Sequence, residues 1–425
     1  MSNSLSSEDV RHTEQSNYLS WFICLSAGMF FFYEFFQLNV FDVINQALRT
    51  SFNINAAKLS WMSSAFIWAN VIFLLPAGVI LDNFSARKVI LLALLTCLVG
   101  TIGFGLTHSF YLAALFHALT GIGNAFCFLS CVVLVSRWFH PRKQALVIGT
   151  IVTMAFLGGM AAHTPFAYLH NSFGWRKAIM VDAAIGILIL SWIYIFVRDK
   201  NTTLKKINKN KSWLSKYRDA VCNKQTWLSG IYTACLNLPI MVLCALWGGS
   251  YLSEVHNLNS ISASNIVSLI FIGSIFGCPI VGFLSDKIGK RKPLMLLGAI
   301  TTLLLTLPLV NSSPHSPFIL SCIFLSLGFT TSTQIISYPL ITESNQSCNT
   351  GIATGIASVI IMSGGGFGQV LFGYIMQHNS SGLLINNSFS NFSAAMLIFP
   401  CASVIALMTI IFMRETYCKP YQDQS

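Results

Sequence analysis

Twelve stretches of predominantly apolar residues, each about 20 residues long and so able to cross a bilayer as a helix, run through these 425 residues. They fall near 18–46, 58–80, 88–107, 110–138, 145–169 and 175–197, and again near 227–252, 262–284, 293–311, 316–341, 351–377 and 392–413. A hydrocarbon core offers backbone N–H and C=O groups no water, so runs of this length must satisfy their polar groups internally, as helices. The expected fold class is an all-α integral membrane protein with 12 transmembrane helices in two six-helix bundles. Composition closes off the soluble alternative. Only 9% of the residues are charged, against about 25% in soluble domains.

The two sets of six runs are separated by RDKNTTLKKINKNKSWLSKYRDAVCNK, which holds nine Lys or Arg against two Asp. The expected organisation is a cytoplasmic tail (1–17), an N-terminal bundle (18–197), a basic cytoplasmic linker (198–226), a C-terminal bundle (227–413) and a second tail (414–425). Of the 25 basic residues, only Arg49, Lys58, Arg176 and Lys177 lie opposite the linker. The positive-inside rule then places both termini in the cytoplasm. The net charge of +11 sits in short loops and forms no basic face, so nucleic acid is not an expected partner. The 12 Cys lack CxxC or CxxH spacing, which predicts neither a disulfide framework nor a metal site. The polar N-terminus, with Glu8, Asp9 and Glu14, lacks the pattern of a cleaved signal peptide.

The halves repeat one another. GVILDNFSARK follows the second run and GFLSDKIGKRK the eighth, their Asp residues 204 positions apart. Parallel duplication of a six-helix unit is one of the symmetries of secondary transporters. The G-x-x-x-D-x-x-x-x-R-K pattern, present as Gly78, Asp82, Arg87 and Lys88 with a second copy at Gly282, Asp286, Lys290 and Arg291, resembles the signature of the major facilitator superfamily. The resemblance implies that these loops gate, holding the cytoplasmic ends of the halves together while the outer side is open. Within that superfamily, YEFFQLNVF, LTGIGNAFCFLS, NLPIMVLCALWGGSYL, QIISYPLITESN and MSGGGFGQVLFG look like the bacterial phagosomal-transporter group, associated with amino acids and nucleosides. Two departures stand out. His117 replaces the Arg that usually precedes G-x-G in the fourth span, and His163 interrupts the glycine-proline pattern of antiporters in the fifth.

Candidate functional residues begin with an acid inside the first span. Counted from Trp21, Glu34 lies roughly 20 Å along the helix and Asp42 about 31 Å. Asp42 is expected to be solvated or to cap a helix. Phe30, Glu34, Gln37, Phe41 and Asn45 share one stripe at 100° per residue. Span one lines the central cavity in the superfamily, so the resemblance turns this stripe toward water and substrate. Glu34 then has three compatible roles: proton coupling, substrate binding, or a structural pair with His117, which the count places at a similar depth. His117 reads either as a proton relay with Glu34 or as a packing residue, and Asp182 as a structural partner. Asn237, Gln334, Tyr338 and Gln369 complete the expected substrate wall with Glu34, Gln37 and Phe41. No intramembrane cation in the second half is available to grip a free carboxylate, which argues against simple organic anions.

These residues lead to the expectation of a proton-coupled importer of a small polar metabolite such as an amino acid or nucleoside, a monomer in the bacterial inner membrane. An exporter of a metabolite or siderophore is the alternative, followed by a non-transporting membrane sensor. No HExxH, GxSxG or P-loop is present, so no enzyme activity is expected, and no cofactor.

Overall fold

The computed structural model describes residues 7–139, 141–199, 213–310, 315–346, 350–380 and 388–419, without the side chains of 7–17, 75, 79, 82, 83, 141, 142, 145, 213–217, 379, 380 and 388–390. Every element in the described residues is helical. Twelve helices are long and apolar enough to span: α1 (Tyr18–Phe52), α2 (Ala56–Leu74), α3 (Ala86–Leu106), α4 (Phe110–Trp138), α5 (Leu146–Phe173), α6 (Trp175–Phe196), α7 (Lys224–His256), α8 (Ser260–Ile288), α9 (Lys292–Val310), α10 (Pro317–Glu343), α11 (Thr350–His378) and α12 (Asn391–Phe412). The helix bearing α1 begins at Ser7, upstream of the apolar run. Residues 200–212 of the expected linker lie outside the description, and Trp213–Cys222 forms a short helix before α7.

Local chemistry sets where the spans begin. The side chains of Asn55, Ser85, Asn259 and Ser316 each accept a hydrogen bond from a backbone N–H in the first turn of α2, α3, α8 and α10. These caps satisfy amides that a helix leaves without internal partners. The second motif loop closes on Gly289, whose φ of +68° ends α8 in the left-handed region open to glycine. Large apolar side chains such as Leu188, Phe276, Phe283 and Phe412 stay exposed on the outer surface, as a lipid-facing perimeter requires.

Glycines bring the helices into backbone contact. A Cβ on Gly121 of α4 would stand 2.1 Å from the carbonyl oxygen of Phe66 on α2. In the second half, a Cβ on Gly328 of α10 would stand 1.9 Å from the carbonyl oxygen of Ile270 on α8. Phe66 and Ile270 are 204 positions apart, the same offset as Asp82 and Asp286, so the repeat read in the loops is also a repeat of packing. Small residues at such crossings let dispersion contacts accumulate where no hydrophobic drive separates helix from lipid.

The halves meet along α1 with α7, α2 with α11, and α5 with α8. Their contacts gather on the side opposite the linker, called here the far side. Asn45 Nδ2 donates to the carbonyl of Leu246 at 2.6 Å, Trp247 Nε1 to Ser60 Oγ at 3.2 Å, and Thr164 Oγ1 to Asn265 Oδ1 at 2.6 Å. Arg49 and Glu254 pair at 3.6 Å. Nearer the middle, Phe271 packs on Phe156 and His163, and Trp68 on Phe367. Toward the linker side, a Cβ on Gly78, Gly149, Gly351 or Gly355 would meet nothing within 4 Å. The halves are joined at the far side and part toward the linker.

Candidate functional site

The acid-bearing stripe of α1 does not face a wet cavity. Phe30, Glu34, Gln37, Phe41 and Asn45 are all buried, and the first four turn into the N-terminal bundle. Glu34 points at α3 and α4, where Cys97, Cys127 and Gly123 surround it, with the Asp182 carboxylate of α6 in electrostatic range. A Cβ on Gly123 would lie 3.2 Å from Glu34 Oε1, so the missing side chain at 123 makes the space for the acid. Among the described residues no N–H or O–H group bonds either oxygen of Glu34, which leaves the Cys97 thiol beside it as a weak donor. Gln37 donates to Asp182, and Tyr33 donates to the Asp182 backbone carbonyl at 3.4 Å. Gln37 therefore bonds within the bundle, and Asp182 accepts from both residues.

The expected pairing of Glu34 with His117 is not formed. Glu34 lies level with Gly123, six residues along α4 from His117, or roughly 9 Å. The discrepancy comes from the length of α1, which continues to Phe52. Its midpoint is thus nearer Glu34 than a count over a shorter span allows. His117 instead stacks on Phe41 with ring centroids 4.0 Å apart, within a box completed by Phe66 and Phe104. Phe41 is 1% exposed and spoken for by these rings. Both residues pack.

Two α1 residues outside the bundle-facing part of the stripe cross to the other half. Asn45 reaches Leu246, as above. Asp42, 2% exposed, accepts the backbone N–H of Gly249 at both oxygens, 2.8 and 3.0 Å away. The capping reading of Asp42 fits this geometry, with the capped helix in the opposite half. His163, at the break in α5, brings Nδ1 to 3.6 Å from Asp42 Oδ2. A far-side cavity of about 390 Å³ lies over this contact, lined by Asp42, Gln46, Thr50, His170 and Glu254 among others.

In α7 the backbone changes pitch. Pro239 cannot donate a backbone hydrogen bond, and Pro239–Trp247 adopts a π-helix, a form found mostly as short insertions at functional positions. Gln369 of α11 donates to the Met241 carbonyl at 2.7 Å and is itself fully buried. It supports this segment and is not presented to a cavity. Asn237 sits just before the π-turns, 8% exposed. Gln334 and Tyr338 are half-buried on α10, where the polypeptide passes through a 3-10 turn, and Thr233 of α7 bonds the Gln334 carbonyl. Asn237 thus lies on α7 and Gln334 and Tyr338 on α10, while Glu34, Gln37, Phe41 and Gln369 are buried among protein groups.

Each motif loop bonds within its own half. Arg87 donates to the Tyr194 carbonyl at 2.6 Å and lies over the Tyr194 ring; Lys88 is exposed, and its N–H meets the Ser85 cap. Asp199 accepts from Ser85 and pairs with Arg137 at 3.5 Å. The side chain of Asp82 lies outside the described residues. In the second copy Arg291 is the hub. It donates to Asp286 at 2.7 Å, to both oxygens of Glu343 at 2.6 and 3.3 Å, and to Ser285 at 2.9 Å. Burial works against its charge, but the hydrogen bonds to Glu343 and Asp286 outweigh that, and its pKa is raised above the ordinary arginine value. Glu415 accepts the N–H groups of Arg291 and Lys292 at 2.8 and 2.9 Å, capping α9. Lys290 is exposed. An acid just after the sixth helix of each half, Asp199 or Glu415, thus anchors the start of the third.

Sequence reasoning missed His163 as a partner of Asp42 and Gly249 as the capped amide. The only trace of the latter was the Gly-Gly pair closing ALWGG, which admits a close approach without saying what approaches.

Comparison with known proteins gives concordant results. The sequence matches the profile of the Major Facilitator Superfamily over residues 23–369 and 246–422. It is 22% identical to the membrane sensor protein UhpC of Salmonella typhimurium, over 83% of this chain and 85% of that protein. It is 23% identical to the cis,cis-muconate transport protein of Acinetobacter baylyi, over 89% of this chain and 90% of that one. The structure superposes on that of a D-xylose-proton symporter with a TM-score of 0.76 at 16% identity, covering 94% of this chain and 99% of the symporter.

Proposed function

The chain belongs to the major facilitator superfamily, and on that premise we propose that it imports a small polar metabolite, an amino acid or a nucleoside, together with protons. The observation that carries the coupling is the pair of carboxylates in the core of the N-terminal bundle. Glu34 and Asp182 are both buried, within electrostatic range of each other, and neither forms an ion pair with a basic group among the described residues. A buried charge without a counter-ion is costly. Loading and unloading a proton here therefore changes the energy of packing α1 against α4 and α6, and α1 also meets the second half. On this reading the coupling group sits inside the N-terminal bundle rather than on a cavity wall.

The solute class follows from what α7 and α10 offer. Asn237, Gln334 and Tyr338 supply neutral amides and a hydroxyl. The described basic side chains within the spans, such as Arg49, Lys58, Arg137, Arg176 and Lys292, stand near helix ends. That pattern suits a zwitterion or a nucleoside, and it separates this chain from the muconate transporter, whose solute is a dianion. The finer likeness to the phagosomal-transporter group points to the same classes. The basic loops support a bacterial inner-membrane location with the linker side cytoplasmic, so the conformation described is open inward. When the far side opens, the two motif loops would approach each other from the linker side.

Purified protein in liposomes with an imposed pH gradient is expected to accumulate one solute from a panel of amino acids and nucleosides. Glu34→Gln should abolish gradient-driven accumulation while leaving solute exchange at equal pH. Undiminished accumulation in that variant removes Glu34 from coupling. The likeness to a membrane sensor supports a second reading, in which solute binds without flux; saturable binding with no exchange in the same liposomes distinguishes it.

A further inference from the structure

We propose that Asp42 is the latch of the far-side gate: α1 supplies, from one half, the N-terminal cap of the helix that follows the π-turns of α7 in the other, and loss of this cap opens the far side. The inference rests on the import reading above, in which the far side opens, though its test does not require transport.

Four observations converge on the latch. The π-turns end with the Gly248 N–H bonded to the Leu243 carbonyl, five residues back. The next amide, Gly249, then starts a nine-residue α-helix, Gly248–His256, and its N–H goes to Asp42. A carboxylate at a helix N-terminus satisfies an amide that the helix cannot and complements the positive end of its dipole. Here that carboxylate comes from a segment more than 200 residues away, so the helix is fully capped only while the halves touch.

The second observation is the fit of glycine. A Cβ on Gly249 would stand 2.9 Å from Asp42 Oδ2, so a side chain at 249 would push the carboxylate off the amide. The third is convergence: Asn45 to Leu246 and Ser60 to Trp247 also bridge the halves, and both end on the π-segment or its last residue. The fourth is position. Asp42 floors the polar far-side cavity, so it stands between that opening and the interior.

The groups facing Asp42 are His163 from α5 and Cys244 from α7, with His170 and Glu254 across the cavity and Arg49 paired to Glu254 at the rim. The Arg49–Glu254 pair is about a third exposed, where ion pairs add little. The buried Asp42–Gly249 contact therefore outweighs that rim pair and shares the far side with Asn45–Leu246, Trp247–Ser60 and Thr164–Asn265.

The test is hydrogen–deuterium exchange by mass spectrometry on the full chain in nanodiscs, without solute, comparing wild type with Asp42→Ala and Gly249→Ala. These variants break the same contact from opposite halves. In both, amides of residues 245–256 should exchange about fivefold faster, the size of effect a lost helix cap produces. Amides at the linker-side ends of α5 and α11 should slow as those ends come together. Unchanged exchange at 245–256 in either variant overturns the latch. Faster exchange at both ends of the spans overturns it as well, because that is a loosened bundle rather than a shifted gate. If the see-saw pattern appears while wild-type liposomes accumulate no solute, the latch stands and the import reading falls.

Discussion

At the scale of single residues, Arg291 shows how much a motif letter leaves unsaid. The sequence marks it as one of a basic cluster, interchangeable with Lys290. In the structure Lys290 is exposed while Arg291 is buried and forks onto Glu343 and Asp286. Removing it takes the charged partner from a Glu343 that is only 12% exposed and keeps the Thr416 hydroxyl as a donor. Breaking a buried pair by deleting one partner costs about 3 kcal/mol. Arg291→Ala should therefore lower the melting temperature in detergent clearly, and Arg291→Lys should recover only part, since an ammonium cannot make the planar two-pronged contact. Lys290→Ala should leave melting unchanged. Equal losses at 290 and 291 would mean that charge in the loop, not the fork, stabilises it. Glu34 makes the complementary point. Its presence in a span was legible, and so were the angles among Phe30, Glu34, Gln37 and Phe41. Helical periodicity fixes residues relative to one another but not the direction in which the stripe points. A polar stripe reads the same whether it meets water or the Asp182 carboxylate, and only the position of Gly123 opposite decides.

Element by element, the spans were legible to within a few residues because a 20-residue apolar run has one stable solution in lipid. The irregular parts were not. Pro239 signalled a lost hydrogen bond, yet a proline can be absorbed by a kink, a break or a wider turn. The π-turns present the Met241 carbonyl to Gln369 of α11, a contact that no local pattern in α7 encodes. The glycine crossings lie between these extremes: the repeat was visible, but the partner carbonyls are backbone and carry no side-chain signature. They also make the repeat testable. Gly121→Ala and Gly328→Ala place a methyl group against a backbone carbonyl that can yield only if the helices separate, at a cost of about 1–3 kcal/mol. Both should lower thermal stability by similar amounts. Gly355→Ala, which meets nothing within 4 Å, should be neutral or slightly stabilising because alanine favours the helix. A tolerant Gly328 beside an intolerant Gly121 would show that the two halves do not share the load.

Across the whole molecule, the two halves behave as bodies that touch at one end. The bonds crossing between them are short and polar, and they sit on the far side: Asp42 with Gly249, Asn45 with Leu246, Ser60 with Trp247, Thr164 with Asn265. Polar contacts of this kind can be exchanged for water at modest net cost, and they lie within an apolar cluster that runs across both halves, from Phe36 and Ile44 to Leu243 and Phe271, whose release sets the larger cost of parting. Such an interface suits a protein that must part there and close elsewhere. If the far side opens during each cycle, fastening it must stop the cycle without unfolding either bundle. Thr164 and Asn265 offer the place, because their side chains meet at 2.6 Å from α5 and α8 and neither is buried. In a Thr164→Cys, Asn265→Cys variant, a short bifunctional thiol reagent should link the halves and abolish solute exchange in liposomes. Either single variant, carrying the same native cysteines, should retain exchange after the same treatment. A reducible linker should allow recovery on adding reductant. Undiminished exchange in the linked protein would mean that solute crosses without the halves separating at α5 and α8, and the far-side contacts would then be a fixed hinge rather than a gate.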